Sequence, residues 1–203
     1  MDANGSGTGN LNRPESVQNV TPISDAALKK MAAYVACFDK EAADEITASN
    51  SNGSAEFVWF DAKPGKPSAR GLVAPSENTV GIRRRPGTKS QKASTLYHEW
   101  KHVQNLKGKD GPPTTGGDEV SPCAHADTYE AQLEMLCALA QCAKTDINIK
   151  WDENDCKDFR EVLSSWLASR VECDLVPYQI PELPTVIPEG YQLPEPPCEP
   201  EGC

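Results

Sequence analysis

Long apolar runs, an excess of basic residues and a recognisable export signal are all missing from this sequence of 203 residues. No apolar stretch approaches the about 20 residues that a membrane-spanning helix requires, so we expect no membrane span. The formal net charge of −10 argues against nucleic acid and anionic membranes as partners, because like charges repel. The first residues lack the basic start and apolar stretch of a secretory signal peptide. The sequence therefore predicts either a cytosolic chain or the mature form of an exported one.

The number of cysteines favours the exported form over the cytosolic one. The chain has eight cysteines, an even number, and seven of them follow residue 120. This density indicates disulfides, and hence a secreted or periplasmic location; a set of buried thiols is the alternative. No CxxC pair occurs, which argues against a zinc ribbon or a thioredoxin-type site. Cys137 and Cys142 are five residues apart on one predicted helix, about 8 Å between Cα atoms, so we expect them not to pair with each other.

Three stretches of the chain differ in composition. Residues 1–22 are rich in Gly, Asn, Ser and Thr, which predicts a disordered N-terminal segment. Residues 176–203 form a proline-rich acidic tail, for which we expect an extended, polyproline-like chain. Residues 23–175 carry the helical and strand patterns and have the length of one domain.

The order of predicted elements within that domain indicates its fold class. Hydrophobic spacing and turn residues predict helices over 25–47, 90–106, 124–143 and 153–171, and strands over 56–61, 70–74 and 79–84. This order is typical of an α+β domain that is mainly helical. We expect a small antiparallel or mixed sheet to pack against the second helix.

The second predicted helix carries the only HExxH pattern, His98-Glu99-Trp100-Lys101-His102. Residues i and i+4 lie on one face of a helix, so both imidazoles can point at one metal ion. Glu99 projects toward the same cleft, where it can act as general base on a water activated by the metal. The pattern predicts a hydrolase that holds one Zn²⁺ per chain and acts on a protein or peptide substrate.

A catalytic zinc site normally has three protein ligands, so a third residue must be found. The extension HExxHxxGxxH is absent, because Asn105 and Gly108 occupy its glycine and histidine positions. The helix predicted over 124–143 carries an acidic stripe at spacings of three and four, formed by Asp127, Glu130 and Glu134. Either this stripe is a solvated face, or it faces the HExxH helix and supplies the missing ligand.

HExxH followed by a helix bearing Glu-Ala-x-x-acid resembles the gluzincin metallopeptidases. The second motif is Glu130-Ala131-Gln132-Leu133-Glu134, and the resemblance runs from His98 to Glu134. It implies a zincin-like domain in which His98, His102 and Glu130 bind zinc and Glu99 is the general base. It also implies that Glu134 accepts the free ring N–H of a ligand histidine.

A second resemblance implies a different third ligand. The segment His125-Ala126-Asp127-Thr128-Tyr129-Glu130 is similar to the Asn-Ala-Asp-Ser-Tyr-Glu segment of aspzincin (deuterolysin-like) peptidases. In that family an aspartate shortly after HExxH binds the metal, and Asp110 or Asp118 would do so here. The usual Gly-Thr-x-Asp context is missing, so this interpretation ranks second.

A gluzincin site has two further parts, a residue that stabilises the transition state and an edge strand that binds substrate backbone. The residue that stabilises the transition state is a histidine or tyrosine, and His125 and Tyr129 are the nearest ones. A lone histidine near a helix start is usually a capped or surface residue, and His125 is out of phase with Glu130, so we do not expect it to bind metal. The edge strand that binds substrate backbone is predicted to be Thr79 to Arg84.

The alternative to an enzyme is a secreted, disulfide-stabilised binding or scaffold domain in which HExxH arose by chance. The proline-rich tail suits an interaction segment. Against this alternative, Leu96, Tyr97 and Trp100 predict a buried helix, and burying two histidines and a glutamate without a metal would be costly. Arg83-Arg84-Arg85 predicts a solvated strand end, which could instead bind a substrate carboxylate.

Overall fold

The computed structural model describes residues 17–65, 70–74, 78–107 and 122–175. Its strands are β1 (Val17–Pro22), β2 (Glu56–Ala62), β3 (Gly71–Ala74) and β4 (Thr79–Arg83), and its helices are α1 (Asp25–Val35), α2 (Lys40–Ser51), α3 (Lys89–Lys107), α4 (Pro122–Cys142) and α5 (Glu153–Leu175). The predicted α+β class is confirmed. None of the helices in these ranges has the length and apolarity needed to cross a bilayer.

The four strands form one mixed sheet in the order β1-β2-β4-β3. β1 and β3 pair antiparallel with their neighbours, whereas β2 and β4 run parallel. The expectation that Thr79 to Arg84 forms the edge was wrong, because β4 lies between β2 and β3. Its first four residues, from Thr79 to Ile82, are all buried, as expected for an interior strand. Among the strands that the structure describes, β3 is the edge strand on this side of the sheet.

The N-terminal elements differ from the prediction in two places. Val17–Pro22, assigned to the disordered segment, forms β1 and pairs with β2. The helix expected over 25–47 is two helices, because the chain breaks after Val35 and Asp39 then caps α2, its side chain accepting from the Ala42 amide at 2.9 Å. The structure of residues 1–16 and of the tail 176–203 lies outside the described residues.

Helix α3 lies at the centre of the fold and is fixed at its N-terminus. Thr88 and Gln91 cap it reciprocally: the Gln91 amide donates to Thr88 Oγ1 at 3.1 Å and the Thr88 amide donates to Gln91 Oε1 at 3.0 Å. The Gln91 side chain also donates to the carbonyl of Asn154 at the start of α5. The predicted burial of Leu96, Tyr97 and Trp100 is confirmed, and burying an aromatic side chain the size of Trp100 contributes about 5 kcal/mol.

Two disulfides lie within the described residues. Cys37, between α1 and α2, bonds to Cys142 at the end of α4, and Cys123, in the first turn of α4, bonds to Cys173 in α5. The expectation that Cys137 and Cys142 do not pair with each other is therefore confirmed. Both bridges fit the predicted oxidising compartment.

Candidate metal centre

The HExxH residues of α3 face the interior between α4 and the sheet. His98, Glu99 and His102 are each only 7% exposed. The Nε2 atoms of the two histidines are 3.1 Å apart, as the i, i+4 spacing on one helical face requires. The predicted pair of converging imidazoles is present.

Helix α4 adds a third imidazole to this pair. The ring of His125 lies 5.5 Å from that of His98 and 5.1 Å from that of His102, measured between centroids. One ligand atom from each histidine lies within 4.8 Å of the other two, and this is the one group of metal-ligating side chains of its kind in the part of the chain that the structure describes. Three histidines from two helices therefore form a possible metal site.

The acidic stripe of α4 lies away from this cluster. Glu130 and Glu134 are exposed, and Asp127 pairs with Arg170 of α5 at 3.5 Å. The face of α4 that meets α3 is instead formed by residues at spacings of four and three, namely His125, Tyr129 and Gln132. A helix can present only one of these two stripes to α3, because Glu130 is about 100° further around the axis than Tyr129. Asp110 and Asp118 lie outside the described residues.

Gln132 holds one of the histidines in a defined orientation. Its Nε2 donates to Ser94 Oγ at 3.0 Å, which turns its Oε1 toward His98 Nδ1 at 2.9 Å. His98 Nδ1 must therefore carry the proton and donate it to Gln132, which leaves the Nε2 lone pair facing His102 and His125. The gluzincin resemblance implied this role for Glu134 instead. A glutamine two residues before Glu134, within the same motif, was the only available signal.

Burial keeps the histidines of the cluster neutral. It lowers the pKa of His98 to about 3, helped by the neighbouring imidazoles of His102 and His125, and lowers that of His102 to about 4. Burial likewise lowers the pKa of His125. Neutral imidazole nitrogens are metal ligands, and a tetrahedral zinc with Zn–N bonds of about 2.0–2.1 Å places two such nitrogens about 3.3 Å apart. The observed 3.1 Å fits that requirement.

Glu99 is enclosed by the backbone of the edge strand. Gly71, the first residue of β3, lies so close that a Cβ added there would come within 2.6 Å of Glu99 Cδ. Burial raises the pKa of the Glu99 carboxyl to about 8. A carboxyl with a raised pKa beside a histidine cluster is suited to take up and release a proton near neutral pH.

The ring of Tyr129 contacts two of the three histidines. Its ring stacks on His125 with centroids 4.8 Å apart and lies 4.6 Å from the ring of His98. Burial raises the pKa of its phenol, so the hydroxyl stays protonated and can donate a hydrogen bond.

Comparisons of the chain with protein-family models, with curated proteins and with solved structures found no match. The assignment of function therefore depends on the chemistry of the site itself.

Proposed function

We propose that this protein is an exported zinc-dependent peptidase whose metal is held by His98, His102 and His125. The observation that carries this proposal is the convergence of three neutral imidazoles beside a buried glutamate on a helix of HExxH sequence. Three histidines are one of the ligand sets that catalytic zinc uses, because they leave a fourth position open. The two disulfides support the exported location.

The chain's own residues supply the remaining chemistry. Zinc, when bound, would lower the pKa of water toward about 7 and polarise the scissile carbonyl. Glu99 takes a proton from the attacking water and returns it to the leaving amine. The ring of Tyr129 lies beside that of His98, and in this proposal its hydroxyl would stabilise charge that develops on the carbonyl oxygen once it turns from Ser165 of α5.

The substrate backbone pairs with β3 in this proposal. β3 is an edge strand, so its outer N–H and C=O groups can bond an extended peptide. Gly71 brings this edge against Glu99, so a peptide bound there lies next to the general base.

The proposed ligand set differs from that implied by the gluzincin resemblance. Glu130 is exposed, whereas His125 lies with the other histidines, and we therefore assign the third position to His125. The aspzincin-like alternative predicts a different result, since Asp110 or Asp118 would then bind the metal.

Metal analysis of purified, dialysed variants tests the site. We expect about one zinc per chain in the wild type and in Glu130→Ala, and loss of zinc in His102→Ala and His125→Ala. Retention of zinc in His125→Ala would transfer the third position to an aspartate. A wild-type chain that takes up no zinc would contradict the proposal and favour the disulfide-stabilised binding domain.

Turnover of peptide substrates tests the chemistry. Glu99→Gln is expected to keep its zinc and lose nearly all activity, because the amide cannot accept the proton. Full activity in that variant would rule out the proposed role of Glu99.

A further inference from the structure

A chain of polar side chains leads from the histidine cluster to an acidic residue of α5, Asp158. Ser94 precedes His98 by four residues, so both lie on the same face of α3. Gln132 of α4 bridges them, because its Nε2 donates to Ser94 Oγ at 3.0 Å while its Oε1 lies 2.9 Å from His98 Nδ1. The Ser94 hydroxyl in turn adjoins the carboxylate of Asp158. Side chains from three helices are therefore linked in series.

The whole chain of side chains is shielded from water. Ser94 is 0% exposed, Asp158 2%, Gln132 3% and His98 7%. A buried polar group that lacks a hydrogen-bond partner costs free energy, and here bulk water cannot supply a substitute. The direction of each hydrogen bond is therefore determined by the donors and acceptors of the neighbouring side chains.

The carboxylate at the end of the chain is held between two cations. Arg70 forms an ion pair with Asp158 Oδ1, and Arg85 lies 3.6 Å from the same oxygen. Burial raises the pKa of Asp158, and the charges of Arg70 and Arg85 oppose that rise. Interaction with the Ser94 hydroxyl opposes it as well. An ionised carboxylate accepts hydrogen bonds and donates none.

The proton of the Ser94 hydroxyl has two acceptors within reach. The carbonyl of Gln91 is 3.4 Å away and already accepts from Thr95 Oγ1 at 2.9 Å. Asp158 Oδ2 is buried and has no other partner among the residues that the structure describes. A charged acceptor forms the stronger hydrogen bond, so the proton of Ser94 belongs on Asp158.

This one proton sets the direction of the remaining hydrogen bonds. A hydroxyl has a single proton, so a Ser94 that donates to Asp158 can only accept from Gln132. The amide of Gln132 must then turn its Oε1 to His98 Nδ1, which therefore carries the proton of the ring. In the reverse direction Ser94 would donate to Oε1 and the amide would donate to Nδ1, which would move the ring proton to Nε2 and block metal binding there.

We propose that Asp158 is a positioning residue that holds His98 in its metal-binding tautomer through this hydrogen-bonded chain. The carboxylate touches neither the histidines nor the metal position, and it acts only by excluding the reverse direction of the hydrogen bonds. The inference rests on the proposed function for the use made of this tautomer. The tautomer itself is a property of the metal-free chain, where it can be measured without any activity.

Nitrogen-15 NMR of the histidine rings in the zinc-free protein tests the inference. The chain has three histidines, so His102→Ala and His125→Ala are sufficient to assign the signals of His98. At neutral pH we expect the proton of His98 on Nδ1 in the wild type. Asp158→Asn should move it in part to Nε2, because the new amide can donate to Ser94 and either direction becomes possible.

Two further variants separate the hydrogen-bonded chain from the ion pairs. Ser94→Ala cuts the chain but leaves the Arg70–Asp158 pair in place, and it should shift the tautomer even if Asp158→Asn folds poorly. Glu161→Gln removes the same charge from the other carboxylate that pairs with Arg70, an exposed one, and should leave the tautomer unchanged. Circular dichroism verifies that each variant is folded.

Zinc titration of the same variants measures the consequence for the metal site. The dissociation constant should rise about 10-fold in Asp158→Asn and Ser94→Ala, and stay unchanged in Glu161→Gln. A tautomer that shifts in a chain that takes up no zinc would support the hydrogen-bonded chain and contradict the peptidase proposal. A wild-type proton on Nε2, a tautomer that neither variant changes, or zinc affinity that is unaffected by a shifted tautomer would overturn the inference.

Discussion

At the scale of single residues, one close contact in the candidate site requires a glycine, which has no side chain. Glu99 lies against the backbone of Gly71, and no other residue type could stand at the start of β3 without moving the carboxylate. The position of the proposed general base is therefore determined by a strand residue as much as by its own helix.

The variant Gly71→Ala should separate metal binding from turnover. We expect its zinc content to equal that of the wild type, because the histidines are untouched, while turnover falls about 100-fold, the typical cost of displacing a reacting group by about 1 Å. Elemental analysis and peptide hydrolysis measure the two quantities. Leu72→Ala, a change at the next residue of β3, is the control and should lose far less; equal losses would show that strand stability rather than Glu99 is affected.

Gln132 should matter to metal affinity through His98. Replacing it with Met keeps its volume and removes the acceptor for His98 Nδ1, which should weaken zinc binding about 10–100-fold. Gln132→Glu retains an acceptor and should retain most of the affinity, and Gln141→Met on the exposed side of α4 should change nothing. Competition with a zinc-binding dye measures each constant. An unchanged constant in Gln132→Met would remove Gln132 from the site.

The sequence allowed the α3 half of the cluster to be predicted but not the α4 half. The i, i+4 spacing of His98 and His102 alone determines that they share a face. The orientation of α4 could not be read in the same way, because its buried residues lie on most sides of the helix: Leu133, Met135, Leu136, Leu139 and Ala140. Without a single apolar stripe, the acidic and the histidine-bearing faces were equally possible contacts for α3.

At the scale of elements, the disulfides determine where chain segments end and meet. Residues 36–39 contain neither glycine nor proline, so local patterns do not indicate that the predicted helix over 25–47 breaks there. In the structure Cys37 forms a disulfide with Cys142 of α4, and Asp39 caps the N-terminus of a new helix. The edge position that the gluzincin resemblance implies for Thr79 to Arg84 is wrong for a similar reason: the pairing of β2 with β4, across β3 in sequence, is a non-local contact that local patterns do not report.

The two disulfides should have different effects on the metal centre. Replacing Cys123 and Cys173 by serine releases the first turn of α4, two residues from His125, and should lower both zinc affinity and stability. Replacing Cys37 and Cys142 by serine opens a loop with a sequence separation of 105, which should cost about 4–5 kcal/mol in the chain-entropy account and leave zinc affinity of the folded protein unchanged. Denaturant unfolding and zinc titration measure the two effects. Equal zinc affinities in both variants would contradict this division.

At the scale of the whole molecule, metal binding should raise the free energy of unfolding and the melting temperature of the protein. A ligand that binds only the folded chain adds about 2.7 kcal/mol at 100 times its Kd, which corresponds to a rise in Tm of about 5–10 °C for a domain of this size. Removing zinc with a chelator should lower the Tm by this amount in the wild type. The variant His102→Ala serves as control, because it should not respond to the chelator; a wild-type Tm that is also unaffected would argue against a bound metal.

The closeness of Gly71 to Glu99 also has a genetic consequence. Every single-nucleotide missense change of a glycine codon introduces a side chain, and at residue 71 that side chain would meet the Glu99 carboxylate. Under the proposed function, such an allele would keep the three histidines of the zinc site and lose most of its turnover. An organism that also expresses the intact gene would still make active enzyme, so mutations at this codon are expected to behave as recessive.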